Sequence, residues 1–335
     1  PLGTPVLAAA RQLGVDLDSV CGGRGICSKC QVSPGQGSFP KHGVTVAKTA
    51  LSDWNAVEAR YDEKRGLKEG RRLGCQALVQ SDVVIDVPPE SQVHKQVVRK
   101  AATERAITMD PATRLFYVEV REPDMHEPSG DLQRIREALK RDWDIDDVQA
   151  APALLGKLQP ALRKGKWSVT LAVWQDHRGG RPAILDIWPG YFEGRLHGLA
   201  IDLGSTTIAA HLCDLRNGQV VASAGVMNPQ IRFGEDLMSR VSYAMMNPGG
   251  DAEMTAAVRT AMDGLALELA TEAGVSPSEI VEATVVCNPV MHHLLLGIDP
   301  VELGQAPFAL ATSDAVNTES GAIGLGAINP LARAY

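Results

Sequence analysis

The sequence predicts a multidomain fold in which α+β and α/β parts follow one another along the chain. Its 335 residues exceed the usual size of one domain and fit two or three. Hydrophobic residues make up 44% and charged residues 22%, the balance of a globular protein with real cores. Helical and strand-like patterns occur in three blocks, and the pattern changes from one block to the next.

The first block, residues 1–90, begins with a short helix. Thr4 can serve as its N-cap, Pro5 occupies the first helical position, and Gly14 is placed to end it. The other elements expected in this block are a strand at 31–32, a helix near 51–60 and a strand at 82–87.

The second block, residues 113–195, predicts a small α+β middle domain, and a basic linker at 91–112 precedes it. Its elements are expected in the order strand, helix, helix, strand, strand, at 115–120, 131–143, 152–164, 167–175 and 183–187. No group of His, Cys or paired carboxylates in this block indicates a catalytic site.

The third block, residues 196–335, predicts an α/β lobe. Three strand-like runs come first, at 196–202, 208–214 and 220–226. The elements expected after them are helices within 233–245 and 254–269, a strand at 283–287 and a helix from about 289 to 296 that Gly297 ends.

Charge and hydropathy exclude several partners. Residues 196–335 carry 15 acids against five arginines and no lysine, so this block repels phosphate backbones and we expect no nucleic-acid partner. The sequence has no apolar run long enough to span a membrane and no signal-peptide pattern, which predicts a cytoplasmic protein. Because the chain begins at Pro1 and ends at Tyr335 directly after a strand-like approach, we expect it to be a piece of a longer protein.

Four of the six cysteines fall in the first block and form the most specific motif of the sequence. Cys21, Cys27 and Cys30 have the spacing C-x5-C-x2-C, and Cys75 follows 45 residues later. The remaining two cysteines lie in apolar strand-like runs, where a free thiol behaves as a small hydrophobic group.

Three kinds of site compete for the four-cysteine motif. A disulfide framework is disfavoured because no export signal is visible and the spacing is local. A structural zinc site usually has two C-x2-C pairs, and this motif has one. A [2Fe–2S] cluster fits best, because one wrapping loop would supply three thiolates and a distant strand end the fourth. The negative cluster requires backbone N–H groups near its sulfurs, and Gly22, Gly23 and Gly25 permit that approach.

A second motif, Asp-Leu-Gly-Ser-Thr-Thr at 202–207, joins the first two strands of the third block. A turn that carries Gly204, Ser205, Thr206 and Thr207 offers N–H groups and hydroxyls to a phosphate. Asp202, at the end of the first strand, is suited to hold Mg²⁺ through water. Because the turn connects two strands, it is neither a P-loop nor a dinucleotide fingerprint. An ordinary hairpin with a polar tip stays open as the alternative.

Both motifs resemble known domains. The loop that carries Cys21, Cys27 and Cys30 (residues 21–30, the cysteine loop), together with Cys75 and the strand at 83–87, resembles a β-grasp [2Fe–2S] ferredoxin domain. Such domains begin with a β-hairpin, whereas this sequence begins at the helix that follows it. The 202–207 motif is similar to the first phosphate motif of the acetate kinase, sugar kinase, Hsp70 and actin superfamily. That resemblance implies an RNase H-like lobe of an actin-like ATPase, with Asp202 orienting Mg²⁺ and the turn facing the β- and γ-phosphates of ATP. The superfamily's second phosphate turn and adenosine-binding glycines find no match in 288–335, so we expect the first lobe only.

Taken over its whole length, the sequence resembles the ATP-dependent reductive activators of corrinoid proteins. The stretches that carry the resemblance are Cys-Gly-Gly-Arg-Gly at 21–25, Arg-Leu-Gly-Cys-Gln at 72–76, Asn-Pro-Gln at 228–230, Phe-Gly-Glu-Asp at 233–236 and Asn-Pro-Val-Met-His-His-Leu-Leu-Leu-Gly at 288–297. The resemblance implies reduction of cob(II)amide to cob(I)amide in a corrinoid protein of a methyltransferase system, with a [2Fe–2S] cluster, ATP and Mg²⁺ as cofactors. It also implies a low-potential electron donor, with a homodimer as one allowed assembly. Asn228 and Asn288 are expected to line the nucleotide cleft.

Two other functions stay open. An activator of 2-hydroxyacyl-CoA dehydratases also couples ATP to a low-potential electron, but that family carries a [4Fe–4S] cluster within the ATPase fold. A ferredoxin-type electron carrier or redox sensor, whose lobe only binds a partner, would not depend on ATP. ATP-dependent reduction of cobalt is the activity that distinguishes the activator of corrinoid proteins from the carrier.

Overall fold

The computed structural model describes residues 2–13, 15, 17–19, 21, 23–27, 29–91, 108–176 and 180–335. Gly14 and Gly22, and most of the predicted linker at 91–112, lie outside the described residues. Within the described part, the chain is multidomain and combines helices with four β-sheets. The predicted fold class is therefore confirmed.

Residues 2–91 form the cysteine-bearing domain. Its elements are α1 (Val6–Gln12), β1 (Gln31–Pro34), β2 (Gly37–Phe39), β3 (Val44–Val46), α2 (Ala56–Arg65), β4 (Arg72–Leu73) and β5 (Ile85–Asp86). The antiparallel sheet has the order β4-β1-β5, and β2 and β3 form a separate hairpin that was not predicted. Helix α2 begins later than expected because Asn55 caps it, accepting hydrogen bonds from two backbone N–H groups.

Helix α1 starts one residue later than predicted. Pro5 is its N-cap rather than its first helical residue, so the assignment of Thr4 as the cap is wrong. The N–H groups of Val6 and Leu7 donate to backbone carbonyls of the 74–77 segment over 2.9 and 2.8 Å. These bonds satisfy the free donors that a capping side chain would otherwise serve. They also fasten α1 to the segment that carries the fourth cysteine of the motif.

The middle domain has one four-stranded sheet covered by two helices. Its elements are β6 (Thr113–Glu119), α3 (Asp131–Trp143), β7 (Gln149–Ala150), α4 (Pro152–Lys164), β8 (Ser168–Trp174) and β9 (Ala183–Pro189). The sheet order is β6-β8-β9-β7, and the buried side chains of both helices share one core with it. The predicted order of elements is confirmed, and β7 is a two-residue addition.

The lobe is built on a six-stranded sheet. Its elements are β10 (His197–Leu203), β11 (Thr207–Asp214), β12 (Val220–Met227), α5 (Leu237–Met246), α6 (Gly250–Ala273), β13 (Ile280–Cys287), α7 (Pro289–Leu296), β14 (Thr318–Glu319) and β15 (Arg333–Ala334). The sheet order is β12-β11-β10-β13-β15-β14, with β10 antiparallel to β11 and parallel to β13. The three predicted strands and the end of α7 at Gly297 are confirmed.

Helix α6 supplies the central apolar surface of the lobe. Met254, Val258, Met262 and Leu265 lie along one buried face of it and share a core with the sheet. The spacing of these side chains is the helical period from which the helix was predicted. None of the helices in the described ranges combines the length and the apolar character that crossing a bilayer requires.

Candidate functional site

The four predicted cysteine ligands lie in the loop before β1 and the turn after β4, where they form two pairs. Cys21, Cys27 and Cys30 come from the loop before β1, and Cys75 from the turn after β4. All four are free thiols; Cys27 is partly exposed and the other three are buried.

The thiols form two hydrogen-bonded pairs. Cys21 pairs with Cys27, and Cys30 pairs with Cys75. The hydrogen bond to Cys27, with further bonds from the backbone N–H groups of residues 24, 26 and 27, lowers the pKa of Cys21 to about 4. In the second pair, the mutual hydrogen bond lowers the pKa of Cys75 and raises that of Cys30.

Two thiol pairs have the composition that a binuclear cluster requires of its ligands. Among the described residues, no three His, Cys, Asp or Glu side chains are grouped to hold a single metal ion. In a [2Fe–2S] cluster, each iron shares the bridging sulfides and takes two thiolates of its own. The number, type and pairing of the thiols therefore fit this group.

The cysteine loop is held against Cys75 by Gln76, a residue to which the sequence assigned no role. The Gln76 Nε2 donates to the Gly23 carbonyl over 2.8 Å and contacts the Cys75 sulfur at 3.6 Å. Its Oε1 accepts a hydrogen bond of 3.1 Å from the Asn55 side chain at the start of α2.

Gly25, whose backbone N–H reaches the Cys75 sulfur, has a φ of +68°. Glycine adopts that conformation without strain.

The predicted phosphate turn lies between β10 and β11. Its ends are closed by a hydrogen bond of 3.0 Å from the Gly204 N–H to the Thr207 carbonyl. A Cβ atom on Gly204 would lie 2.6 Å from that same carbonyl, so only glycine fits. Thr206 is exposed, and Ser205 and Thr207 are partly exposed. The hydroxyl-bearing tip of the turn therefore faces outward.

Two buried side chains support this turn from the inside of the lobe. Asn228 donates from Nδ2 to the Gly204 carbonyl and from its backbone N–H to the Thr206 carbonyl, each over 2.8 Å. Arg240 donates to the Ser205 carbonyl. Asn228 is fully buried and holds the turn in shape. Its expected place in the nucleotide cleft stays a prediction.

Asp202 lies near the carboxyl ends of two parallel strands. The register pairs Leu203 with Cys287, so β10 and β13 end at the same edge of the sheet. Burial, and then the charge of Asp202, raise the pKa of Cys287 to about 11. Directly after Cys287, Asn288 caps α7 by accepting a hydrogen bond of 3.0 Å from the Met291 N–H. This edge therefore brings together a carboxylate, a glycine turn and a helix N-terminus.

Three proteins with known names are similar to this chain. The corrinoid activation enzyme RamQ of Eubacterium limosum is 24% identical over 306 residues, which cover 91% of this chain and 45% of that protein. A solved structure of a reductive activator for corrinoid, iron-sulfur protein is 27% identical with a TM-score of 0.63, covering 99% of this chain and 52% of the other. One subunit of the Na(+)-translocating NADH-quinone reductase of Neisseria meningitidis is 34% identical over 90 residues, covering 27% of this chain and 19% of that protein.

The chain thus spans about half the length of the two corrinoid-related proteins. Two family models match it in succession. The model described as the RACo linker region matches residues 102–194, and the model described as the RACo middle region matches residues 197–335. Together they cover more than half of the chain, and the two long relatives match more than nine-tenths of it. This chain belongs to the RACo family.

Proposed function

We propose that this chain takes part in the ATP-dependent reduction of a corrinoid protein, in which cobalt passes from Co(II) to Co(I) and electrons pass through a [2Fe–2S] cluster. The observation that carries the proposal is the presence of two thiol pairs and a supported glycine turn in one RACo-family chain. The names of the long relatives support a corrinoid protein as the partner. The shorter match, to part of an NADH-quinone reductase, supports a role in electron transfer.

Each thiol pair would hold one iron, Cys21 with Cys27 and Cys30 with Cys75. When bound, the cluster supplies single electrons at low potential. The chain stabilises the thiolates with backbone N–H groups, three at Cys21 and that of Gly25 at Cys75. Such hydrogen bonds favour the charged form of the sulfur ligands.

The edge of the lobe sheet would bind MgATP. Ser205 and Thr206 present hydroxyls at the exposed tip of the turn, and Asp202 lies where a carboxylate can hold Mg²⁺ through water. The N-terminus of α7 adds the partial positive charge of the helix dipole, which favours phosphate.

The energetic reason to join the two sites is that the electron moves uphill. Each increment of about 59 mV in a one-electron couple corresponds to about 1.4 kcal/mol. A plant-type ferredoxin cluster has a potential of about −400 mV, and the proposal requires that the Co(II)/Co(I) couple of the partner lies lower. Nucleotide binding that favours one state of the complex can supply the difference, provided that the two states differ in their affinity for the nucleotide.

The direct test combines the anaerobically purified chain, a cob(II)amide-loaded corrinoid protein and a chemical reductant, with and without MgATP. We expect the visible spectrum of cob(I)amide to form faster with MgATP. Asp202→Asn should remove the dependence on ATP, and Glu268→Gln, which changes an exposed acid on α6, should leave it unchanged. Equal rates with and without ATP would favour the electron carrier.

Iron and sulfide analysis of the same preparation tests the cluster on its own. We expect a coloured protein with equal amounts of iron and acid-labile sulfide, and loss of both in Cys75→Ser. Cys213→Ser, which alters a thiol on β11, is the matched control and should keep the colour. A colourless sample that contains zinc would contradict the proposed cluster.

A further inference from the structure

Arg11 joins the cysteine-bearing domain to the lobe. It lies in the last turn of α1, and its guanidinium carbon is 5.6 Å from the centre of the Phe233 ring and 5.0 Å from the centre of the Tyr243 ring. The two rings contact each other, with centroids 5.0 Å apart. Both distances from the guanidinium are within the range of a cation–π interaction.

The Phe233 and Tyr243 rings explain how the Arg11 guanidinium can have buried N–H groups without a hydrogen-bond acceptor. Within the described part of the chain, its Nε and Nη2 are buried and have no hydrogen-bond acceptor. Buried polar groups normally have a partner; the Arg11 side chain forms a hydrogen bond with Tyr243, and the electron-rich faces of Phe233 and Tyr243 lie beside the N–H groups that have no acceptor. The Tyr243 hydroxyl donates to the Glu253 carboxylate over 2.9 Å, which adds a negative charge on the lobe side of the contact. The lobe therefore offers an electron-rich site for the Arg11 cation, and its Phe233 ring also carries the Arg232 guanidinium, whose carbon is 4.7 Å from the ring centre.

Arg11 also interacts electrostatically with Cys30 of the second thiol pair. Helix α1 is fixed relative to that pair, because Leu7 donates to the Gly74 carbonyl next to Cys75. A movement of Arg11 would therefore change the electrostatic surroundings of the sulfur ligands.

The ring pair is in turn fastened to the phosphate turn. Phe233 ends the short helix 229–232, whose N-cap is Asn228, the residue that holds the turn. Arg240 donates both to the Gly234 carbonyl, over 2.9 Å, and to the Ser205 carbonyl in the turn. One continuous segment, 228–243, thus contacts the phosphate turn through Asn228 and Arg240 and contacts Arg11 through its two rings.

We propose that Arg11 is a positioning residue, which docks the cysteine-bearing domain on the Phe233–Tyr243 ring pair and holds a positive charge beside the cysteine site. The part that concerns the charge rests on the proposed cluster. Through Arg11, a change in the segment 228–243 on nucleotide binding would reach the sulfur ligands, and a change at the ligands would reach the turn, since coupling between sites is reciprocal.

Docking is tested by hydrogen–deuterium exchange on the purified chain. In Arg11→Gln, we expect the amides of α1 and of 229–246 to lose protection together. Arg11→Lys keeps a cation over the rings and should retain most of the protection. Arg60→Gln, an exposed arginine on α2, gives the same change of net charge and should behave as the wild type. Unchanged exchange in Arg11→Gln would overturn the docking role.

The charge is tested by a redox titration of the cluster followed by electron paramagnetic resonance. Loss of the cation disfavours the more negative, reduced state, so we expect a more negative midpoint potential in Arg11→Gln, with Arg11→Lys close to the wild type. An unchanged potential in Arg11→Gln would overturn the electrostatic role. A chain that binds no iron would contradict the proposed function and the electrostatic role together, while the exchange experiment would still decide the docking role.

Discussion

The Glu58 carboxylate is completely buried and forms a bidentate ion pair with the Arg72 guanidinium, at 2.9 and 2.6 Å. The same carboxylate accepts a hydrogen bond of 3.0 Å from the Leu73 N–H. Glu58 belongs to α2, and Arg72 begins the short strand that leads to Cys75. The ion pair therefore fixes the fourth cysteine relative to the rest of its domain.

We expect Glu58→Gln to destabilise the cysteine-bearing domain by about 3–5 kcal/mol, since it leaves a largely buried Arg72 without its charge partner. Iron content should fall in the same variant. The measurements are urea unfolding and iron per chain. Glu63→Gln, on an exposed position of the same helix, is the control and should change neither. A stable, iron-replete Glu58→Gln protein would show that the ion pair does not position Cys75.

Gly25→Ala tests the close approach of the cysteine loop to α2. Gly25 has a φ of +68°, a conformation that is strained for any other residue. A Cβ atom on Gly25 would lie 2.5 Å from the Val57 side chain. We expect a loss of about 1–3 kcal/mol in stability and a fall in visible absorbance per chain. Gly37→Ala also has a positive φ, but its Cβ would meet nothing within 4 Å, so it should keep the absorbance. Val57→Ala should restore part of what Gly25→Ala loses.

The sequence indicated which thiols lie in neighbouring turns better than it indicated what supports them. Cysteine spacing predicts Cys21 and Cys75 as ligands because few other arrangements use four thiolates in that pattern, and this assignment stays a prediction. Glu58 has no such signal, since it lies in a polar stretch in which most neighbours are exposed. Arg240 did leave a signal that was missed: it is one of only five arginines in residues 196–335 and interrupts an otherwise apolar helical pattern. Partners distant in sequence determine the burial of both side chains.

In the fold, too, elements defined by local sequence were predicted, and features that depend on distant parts of the chain were missed. The lobe strands and α7 were predicted because long periodic runs and a terminal Gly297, with a φ of 77°, define them locally. The start of α1 was misplaced because backbone carbonyls of 74–77, far along the chain, satisfy its first N–H groups. The hairpin of β2 and β3 was missed because each strand has only three residues.

Asp18 lies at the contact between the cysteine-bearing domain and the lobe. It is buried, and its charge faces that of Glu235, while Lys29 is 3.9 Å away. Burial, and then Glu235, raise the pKa of Asp18. At neutral pH the ionised carboxylate therefore destabilises the folded state. We expect Asp18→Asn to stabilise the chain by about 1 kcal/mol at pH 7, measured by urea unfolding.

The pH dependence of this effect has a fixed sign. When the pKa of an acid is higher in the folded state than in the unfolded state, the folded protein becomes more stable as the pH falls through the folded pKa. The gain in stability is complete below the unfolded pKa of 3.8. The advantage of Asp18→Asn over the wild type should therefore shrink as the pH falls from 7 toward 4. Asp82→Asn, an exposed acid in the same domain, should show no such trend. An advantage that grows on acidification would contradict the repulsion from Glu235.

Arg240 provides the sharpest test of how the phosphate turn is held. Its fully buried guanidinium donates to the Ser205 carbonyl, to the Gly234 carbonyl and to the Gln230 side chain. Arg240→Lys keeps the charge but cannot make all three bonds, because an ammonium group is compact and lacks the planar fork. We expect a loss of about 1–3 kcal/mol in stability for each acceptor left unpaired.

The same substitution should weaken nucleotide binding if the turn contacts phosphate. We expect the dissociation constant for MgATP in isothermal titration calorimetry to rise about tenfold, which corresponds to about 1.4 kcal/mol. Arg216→Lys changes an exposed arginine at the opposite end of β11 and serves as the control, with unchanged affinity. A destabilised Arg240→Lys protein that binds MgATP as tightly as the wild type would place the nucleotide away from this turn, because the geometry of Ser205 would then be irrelevant to its affinity.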